Sequence, residues 1–325
     1  MILENQRSII MCMTPLQLLI AEKIIQLNSG NEFDLILVVK GEVNEKYLHY
    51  YNRVKKLCHK ALLFVRKSSG FSTFVKFVSS VKSQNMDQGY QSIYLANINT
   101  RYFQYIASIN INANLYTFDD GIANITSFFF KSSDFKASQL KKMLWHAVGI
   151  NFFTNDLIDR SLLHYTLYPN IPNIIDKTVP ISLVDEVQIR CYTDSKIGCE
   201  KVKFFLGQPL EGIDSKYTNK YIESCLVKLG IDYYYKHPKE NYRLDSSFNV
   251  LNSSLIFEDF IINYMNENPT KLVEIYSFNS SALLNIVSIK CLSLFYVYDD
   301  VMYDLHKIFY DLVSKKFQIQ CIKID

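Results

Sequence analysis

What most constrains this chain is a repeated exchange of hydrophobic period, between short unbroken apolar runs and stretches whose apolar residues recur every three to four positions. Residues 8–13 (Ser-Ile-Ile-Met-Cys-Met) are an apolar run stopped by Thr14-Pro15, after which Leu16, Leu19, Ile20, Ile24 and Leu27 keep helical spacing. A short apolar run without alternation is what a strand buried on both faces requires, and Pro suits the first helical position, where no N–H is needed. Residues 33–39 read as a second strand, and 44–60 as a helix with Tyr47, Tyr51, Val54 and Cys58 on one face. A strand at 61–65, a helix near 71–82 and strands at 92–96 and 114–118 continue the pattern. It restarts with strands at 201–206, 231–235, 254–257 and 271–277, and with helices at 215–229, at 258–266 and from Ser280. Strands that alternate with helices predict parallel sheets covered on both faces, and two such series in 325 residues predict two α/β domains. The polar stretch between Tyr168 and Gly198, with Pro169, Pro172 and Pro180, reads as the linker and sets the domains at residues 1–180 and 181–325.

Composition narrows the partners. Lys and Arg total 35 against 32 Asp and Glu, a net charge of +3 that supplies no basic stripe for nucleic acid. The seven cysteines (Cys12, Cys58, Cys191, Cys199, Cys225, Cys291, Cys321) are odd in number and form no C-x-x-C pair, which argues against a zinc or redox motif and fits a reducing cytoplasm. Residues 9–21 are too short an apolar run to span a bilayer, are interrupted by Thr14, Pro15 and Gln17, and lack a basic leader. Residues 128–153 are aromatic and basic, with Lys131, Lys136, Lys141 and Lys142 among Phe128, Phe129, Phe130, Leu144 and Trp145; they read as a core-packed helix with a lysine face, or as a surface-seeking segment.

Neither G-x-G-x-x-G nor a Walker loop is present, and no two aspartates lie at i and i+2, so the sequence favours chemistry without a metal. Candidate residues cluster at predicted strand ends, the edge where open α/β sheets bind ligands. Asp119-Asp120-Gly121 follows the strand at 114–118, which reads as two carboxylates on a sharp turn or as a plain turn signal. His237-Pro238 ends the strand at 231–235, and Pro238 biases His237 towards an extended backbone from which the imidazole can bind a phosphate or act as an acid. Gly207, Gln208 and Glu211 follow the strand at 201–206, where glycine permits close approach of a ligand or simply shapes the loop. Ser277, Ser280 and Ser281 are either an anion site or helix caps, and Glu258 either binds a ribose or complements a helix dipole. The remaining histidines, His49, His59, His146, His164 and His306, lie in helix-like segments without evident acidic or cysteine partners.

Thr14-Pro-Leu-Gln17, Asn44-Glu-Lys-Tyr47 with Tyr50-Tyr51-Asn52, Thr117-Phe-Asp-Asp-Gly121, Phe205-Leu-Gly-Gln-Pro209, Lys236-His-Pro238, Phe257-Glu-Asp-Phe260 and Glu274-Ile-Tyr-Ser277 follow one another in an order that resembles the bacterial sialyltransferases of glycosyltransferase family 52. The resemblance covers most of the chain. It implies a GT-B architecture, two Rossmann-like domains with parallel sheets facing a central cleft, the second domain holding CMP-sialic acid. The implied reaction is inverting transfer of sialic acid to a terminal galactose of a surface glycan, lipooligosaccharide or capsule, with no cofactor. His237, with Pro238, would meet the departing phosphate, Ser277, Ser280 and Ser281 would lie near it, and Glu258 would reach the ribose. Family members carry an Asp, regarded as the general base, after the Pro of the Leu-Gly-x-Pro motif; here that position is Leu210 and the acid is Glu211. Glu211, Asp119 and Asp120 are therefore the candidate bases. A homodimer, and peripheral contact with the inner face of the cytoplasmic membrane through the region of Lys141, Lys142 and Trp145, are further implications. The alternatives are another nucleotide-sugar donor, such as that of a glucosyltransferase, and a non-catalytic nucleotide- or glycan-binding protein.

Overall fold

The apolar runs pair with one another in the computed structural model, which describes residues 6–68, 70–121, 139–183, 200–289 and 291–324. Strands β1 (Gln6–Cys12), β2 (Asn31–Lys40), β3 (Lys60–Arg66), β4 (Ser92–Leu95), β5 (Asn114–Phe118), β6 (Ser161–Thr166) and β7 (Thr178–Pro180) form one sheet in the order β3-β2-β1-β4-β5-β6-β7. Every neighbouring pair is parallel. Residues 9–12 and 35–39 are wholly buried because helices cover both faces of a parallel sheet. A second parallel sheet holds β8 (Lys201–Leu206), β9 (Tyr233–Tyr235), β10 (Val250–Leu251), β11 (Leu272–Ser277), β12 (Leu292–Tyr298) and β13 (Gln320–Lys323), in the order β10-β9-β8-β11-β12-β13. Both sheets start in the middle, build outward to one side and then cross to the other, which is the Rossmann order. Each belongs to its own compact unit, Met1–Leu183 and Val184–Asp325. The order reverses between β1 and β4 in the first sheet and between β8 and β11 in the second, and at such a switch point neighbouring loops diverge and open a crevice.

Several local expectations are corrected. Residues 254–256 are not a strand; β10 is the two-residue piece before them, and the Tyr235 hydroxyl donates to the Leu255 carbonyl (2.6 Å) as the chain turns into the helix Phe257–Glu267. The helix expected from Ser280 is a single turn, Ala282–Asn285. The helix at 215–229 starts later, at Asn219, where the Thr218 hydroxyl accepts the Tyr221 N–H (3.3 Å). His164 stands on β6 rather than on a helix and has an acidic partner, Asp119, and His59 lies 3.5 Å from Asp34. Of the basic aromatic stretch, residues 128–138 and the side chain of Lys141 lie outside the described residues, as do Cys191 and Cys199. Trp145, on the helix Gln139–Ala147, packs inward against Phe71 and Phe74, with ring centroids 6.0 and 5.2 Å away, while Met143 and Leu144 are exposed. No helix among the described residues is long and apolar enough to cross a membrane.

Candidate active site

In the second unit, side chains tie the ends of neighbouring strands together. Gln208, just past β8, accepts the Asn279 N–H (2.8 Å) and the Ser277 hydroxyl (3.1 Å) on its carbonyl oxygen, and its amide donates to the Asn279 side chain. The Ser277 hydroxyl is fully buried, also lies 3.0 Å from the Leu206 carbonyl, and so joins β8 to β11. Ser280 Oγ accepts the Ala282 N–H (3.3 Å), and Ser281 is partly exposed and makes no side-chain cap. Glu258 is buried, and its Oε1 accepts from Asn285 (2.6 Å).

At the end of β9 the segment 236–241 folds back on itself. The Lys239 N–H donates to His237 Nδ1 (3.1 Å). A nitrogen that accepts an N–H carries no proton, so the neutral ring keeps its hydrogen on Nε2 as the donor. Three residues on, Glu240 accepts the His237 N–H (3.2 Å) and the Tyr234 hydroxyl (3.1 Å) on Oε2, while its N–H returns to the His237 carbonyl (3.2 Å). Glu240 is 5% exposed and its Oε1 has no hydrogen-bond partner among the described residues. Burial pushes its pKa up to about 7, against the pull of the His237 N–H and the Tyr234 hydroxyl. Gly207 makes this packing feasible, because a Cβ there would overlap the Glu240 carboxylate and the Tyr234 hydroxyl. Its own N–H is taken by the Tyr235 carbonyl (2.9 Å) and is not offered to a ligand. Leu210 is buried; Glu211 is exposed, accepts the Asn241 N–H (2.6 Å) and lines a cavity of about 470 Å³ with Tyr217 and Tyr242.

In the first unit the two adjacent aspartates do different things. Asp119 is fully buried: Oδ1 pairs with His164 Nε2 (2.9 Å), and Oδ2 accepts the Thr166 hydroxyl (2.9 Å) and the Leu167 N–H (2.6 Å). The far nitrogen of His164 meets the Thr117 hydroxyl (2.8 Å), so the network locks β5 to β6. Asp120 is partly exposed and is gripped by Gln17 on Oδ1 and Asn97 on Oδ2 (2.8 Å). Burial raises the Asp120 pKa, and the Asn97 and Gln17 bonds oppose the rise. Gln17 and Asn97 come from the two sides of the switch point, after β1 and after β4, and deliver Asp120 to it. The sequence reading missed Gln17, Asn97, His164 and Glu240 as site residues. A polar Gln in the apolar first turn of a helix was the visible signal for Gln17, whereas His164 carries no local signal at all. Among the described residues, no three His, Cys, Asp or Glu side chains gather as metal ligands.

A family model described as glycosyltransferase family 52 matches residues 31–298. An N-acetyllactosaminide alpha-2,3-sialyltransferase of Haemophilus influenzae is 33% identical over 288 residues, covering 86% of this chain and 88% of that protein. A CMP-N-acetylneuraminate:beta-galactoside alpha-2,3-sialyltransferase of Pasteurella multocida is 30% identical over 282 residues, covering 86% and 87%. The family match spans the first unit from β2 onward and the second through β12, takes in Asn97, Asp119, Asp120 and the segment 236–241 though not Gln17, and the chain belongs to glycosyltransferase family 52.

Proposed function

We propose that this glycosyltransferase moves sialic acid from CMP-sialic acid to the terminal galactose of a bacterial surface glycan, with inversion and in the α-2,3 linkage that the relatives' names share. The observation that carries the reading is the Lys239 N–H on His237 Nδ1, which leaves Nε2–H as a donor at the end of β9. In this reaction the galactose hydroxyl attacks the anomeric carbon, the bond to the phosphate oxygen breaks, and CMP departs with the electron pair. His237 Nε2–H would stabilise the charge gathering on that oxygen, a place where a preorganised donor contributes much of a rate enhancement. Asp120 would take the hydroxyl proton: it is the accessible carboxylate of its pair, and desolvation makes it a stronger base than a free aspartate. Asp119 would support it, since its oxygens are engaged within the fold. Glu211, exposed five residues after the buried strand end Leu206, is the rival base.

The same proposal includes catalysis without a metal. It also includes a homodimer, drawn from the family resemblance, and peripheral contact with the inner membrane face, to which exposed Phe71, Met143 and Leu144 would contribute. The test is CMP release from CMP-sialic acid by EDTA-treated protein, with and without lactose. Lactose-dependent release supports the reading. CMP binding without release would favour a non-catalytic binder, and failure to bind CMP would favour another donor.

A further inference from the structure

A second cavity, of about 350 Å³, opens in the first unit where β1, β3 and β4 end. It is large enough for a sugar and its neighbour, since small-molecule sites start at roughly 300 Å³. Its wall includes Arg66, Asn97, Asn99, Arg101, Tyr102 and Trp145, and among the described residues no lining side chain is acidic. Asn97 also holds Asp120 (2.8 Å), so whatever fills this cavity lies beside the proposed base. The Arg66 guanidinium lies over the Tyr102 ring at 5.8 Å, and that of Arg101 over Trp145 at 5.9 Å and Phe153 at 5.1 Å. The rings support the flat faces of both guanidiniums, while Arg101 donates to the Gln104 side chain and Arg66 bonds to Tyr102, which fixes both cations at the wall. Arg66 Nε is buried with no hydrogen-bond partner among the described residues. The helix Arg101–Ile109 starts at the same wall without a side-chain cap from Thr100, which adds its positive end to the two cations.

Two arginines beside aromatic rings, with no carboxylate among the described lining residues and the buried Arg66 Nε unpartnered there, are more than a neutral galactoside needs. We infer that this cavity is an acceptor subsite that reads an anionic substituent, a phosphate or carboxylate, on the glycan next to the accepting hydroxyl. The inference rests on the galactoside-acceptor reading and adds the chemical class of acceptor to it.

Trp145 is the chain's single tryptophan, so its fluorescence reports occupancy of the cavity without any turnover. Emission would be titrated with lactose, lactose 6′-phosphate, inorganic phosphate and free sialic acid, for the wild type, Arg66→Gln and Arg66→Lys. The expected result is half-saturation by lactose 6′-phosphate at a concentration roughly tenfold below that of lactose, the scale of one charge-assisted hydrogen bond. Arg66→Gln should close that gap, and Arg66→Lys, which keeps charge but loses the fork, should restore part of it. Equal titration by both lactosides, or no emission change with any probe, would overturn the subsite. Inorganic phosphate binding as tightly as lactose 6′-phosphate would reduce the cavity to an ion site, and free sialic acid binding tightest would hand the arginines to the donor; either outcome also overturns it. CMP release with lactose is read separately: turnover with a flat titration removes the subsite alone, and a tight anionic titration without turnover removes the transferase reading alone.

Discussion

At the scale of single residues, the adjacent aspartates offer the sharpest contrast. Asp119→Ala would strand His164, the Thr166 hydroxyl, the Leu167 N–H and the Asn173 amide in the interior, a loss of about 3 kcal/mol or more, seen as a large fall in Tm. Asp120→Asn should leave Tm nearly unchanged and abolish lactose-dependent CMP release; wild-type rates in that variant would pass the role of base to Glu211. Asn97→Ala removes a bond that favours the charged form of Asp120, so the acidic limb of the pH–rate profile should move to higher pH. His237→Ala should lower kcat by about 10²- to 10⁴-fold, the usual range for a positioned proton donor, with the fold retained by circular dichroism. Glu240 gives a stability signature of its own. Its carboxyl binds a proton more tightly folded than unfolded, so the native state loses stability as pH rises from about 4.5 to about 7, and the loss persists above that. Glu240→Gln should flatten this decline, so melting curves of both proteins at pH 5 and pH 8 should diverge only at the higher pH.

Among secondary-structure elements, legibility followed burial. Strands such as Ile9-Ile-Met-Cys12 and Leu35-Ile-Leu-Val-Val39 could be read because a parallel strand hidden on both faces must be apolar throughout. The apolar Leu255-Ile-Phe257 looks the same in sequence, yet it enters a helix, since periodicity over three residues does not separate the two. Both candidate clusters were visible as acids, glycines and a histidine at strand ends. Their connections were not, because a bond such as Gln17 to Asp120 joins residues 103 apart and depends on β1, β4 and β5 lying side by side. Gly207 ties β8 to the loop after β9: Gly207→Ala would press a methyl group into Tyr234 and Glu240, at a cost of about 1–3 kcal/mol from overpacking. The same displacement would disturb His237, so turnover should fall further than Tm; an unchanged kcat would separate the glycine from the histidine.

For the whole molecule, two sheets built outward from the centre in the same way present two strand-end edges on one chain, and the proposed function divides the labour between them. Hydrogen exchange tests that division without any variant. CMP should slow exchange at residues 206–212, 236–241 and 277–281, and lactose at 13–17, 96–102 and 120; protection of the reverse pattern would refute the assignment. The central position of the first strand also matters while the protein is being made. β1 leaves the ribosome before one of its two neighbours, β4, which starts at Ser92, 80 residues after Cys12. At roughly 5–20 residues per second, that leaves about 4–16 s in which one edge of the apolar segment 9–12 has no native partner. Holding that edge until β4 arrives is a task for chaperones, and slower translation between residues 13 and 95 should make the nascent chain more prone to aggregate.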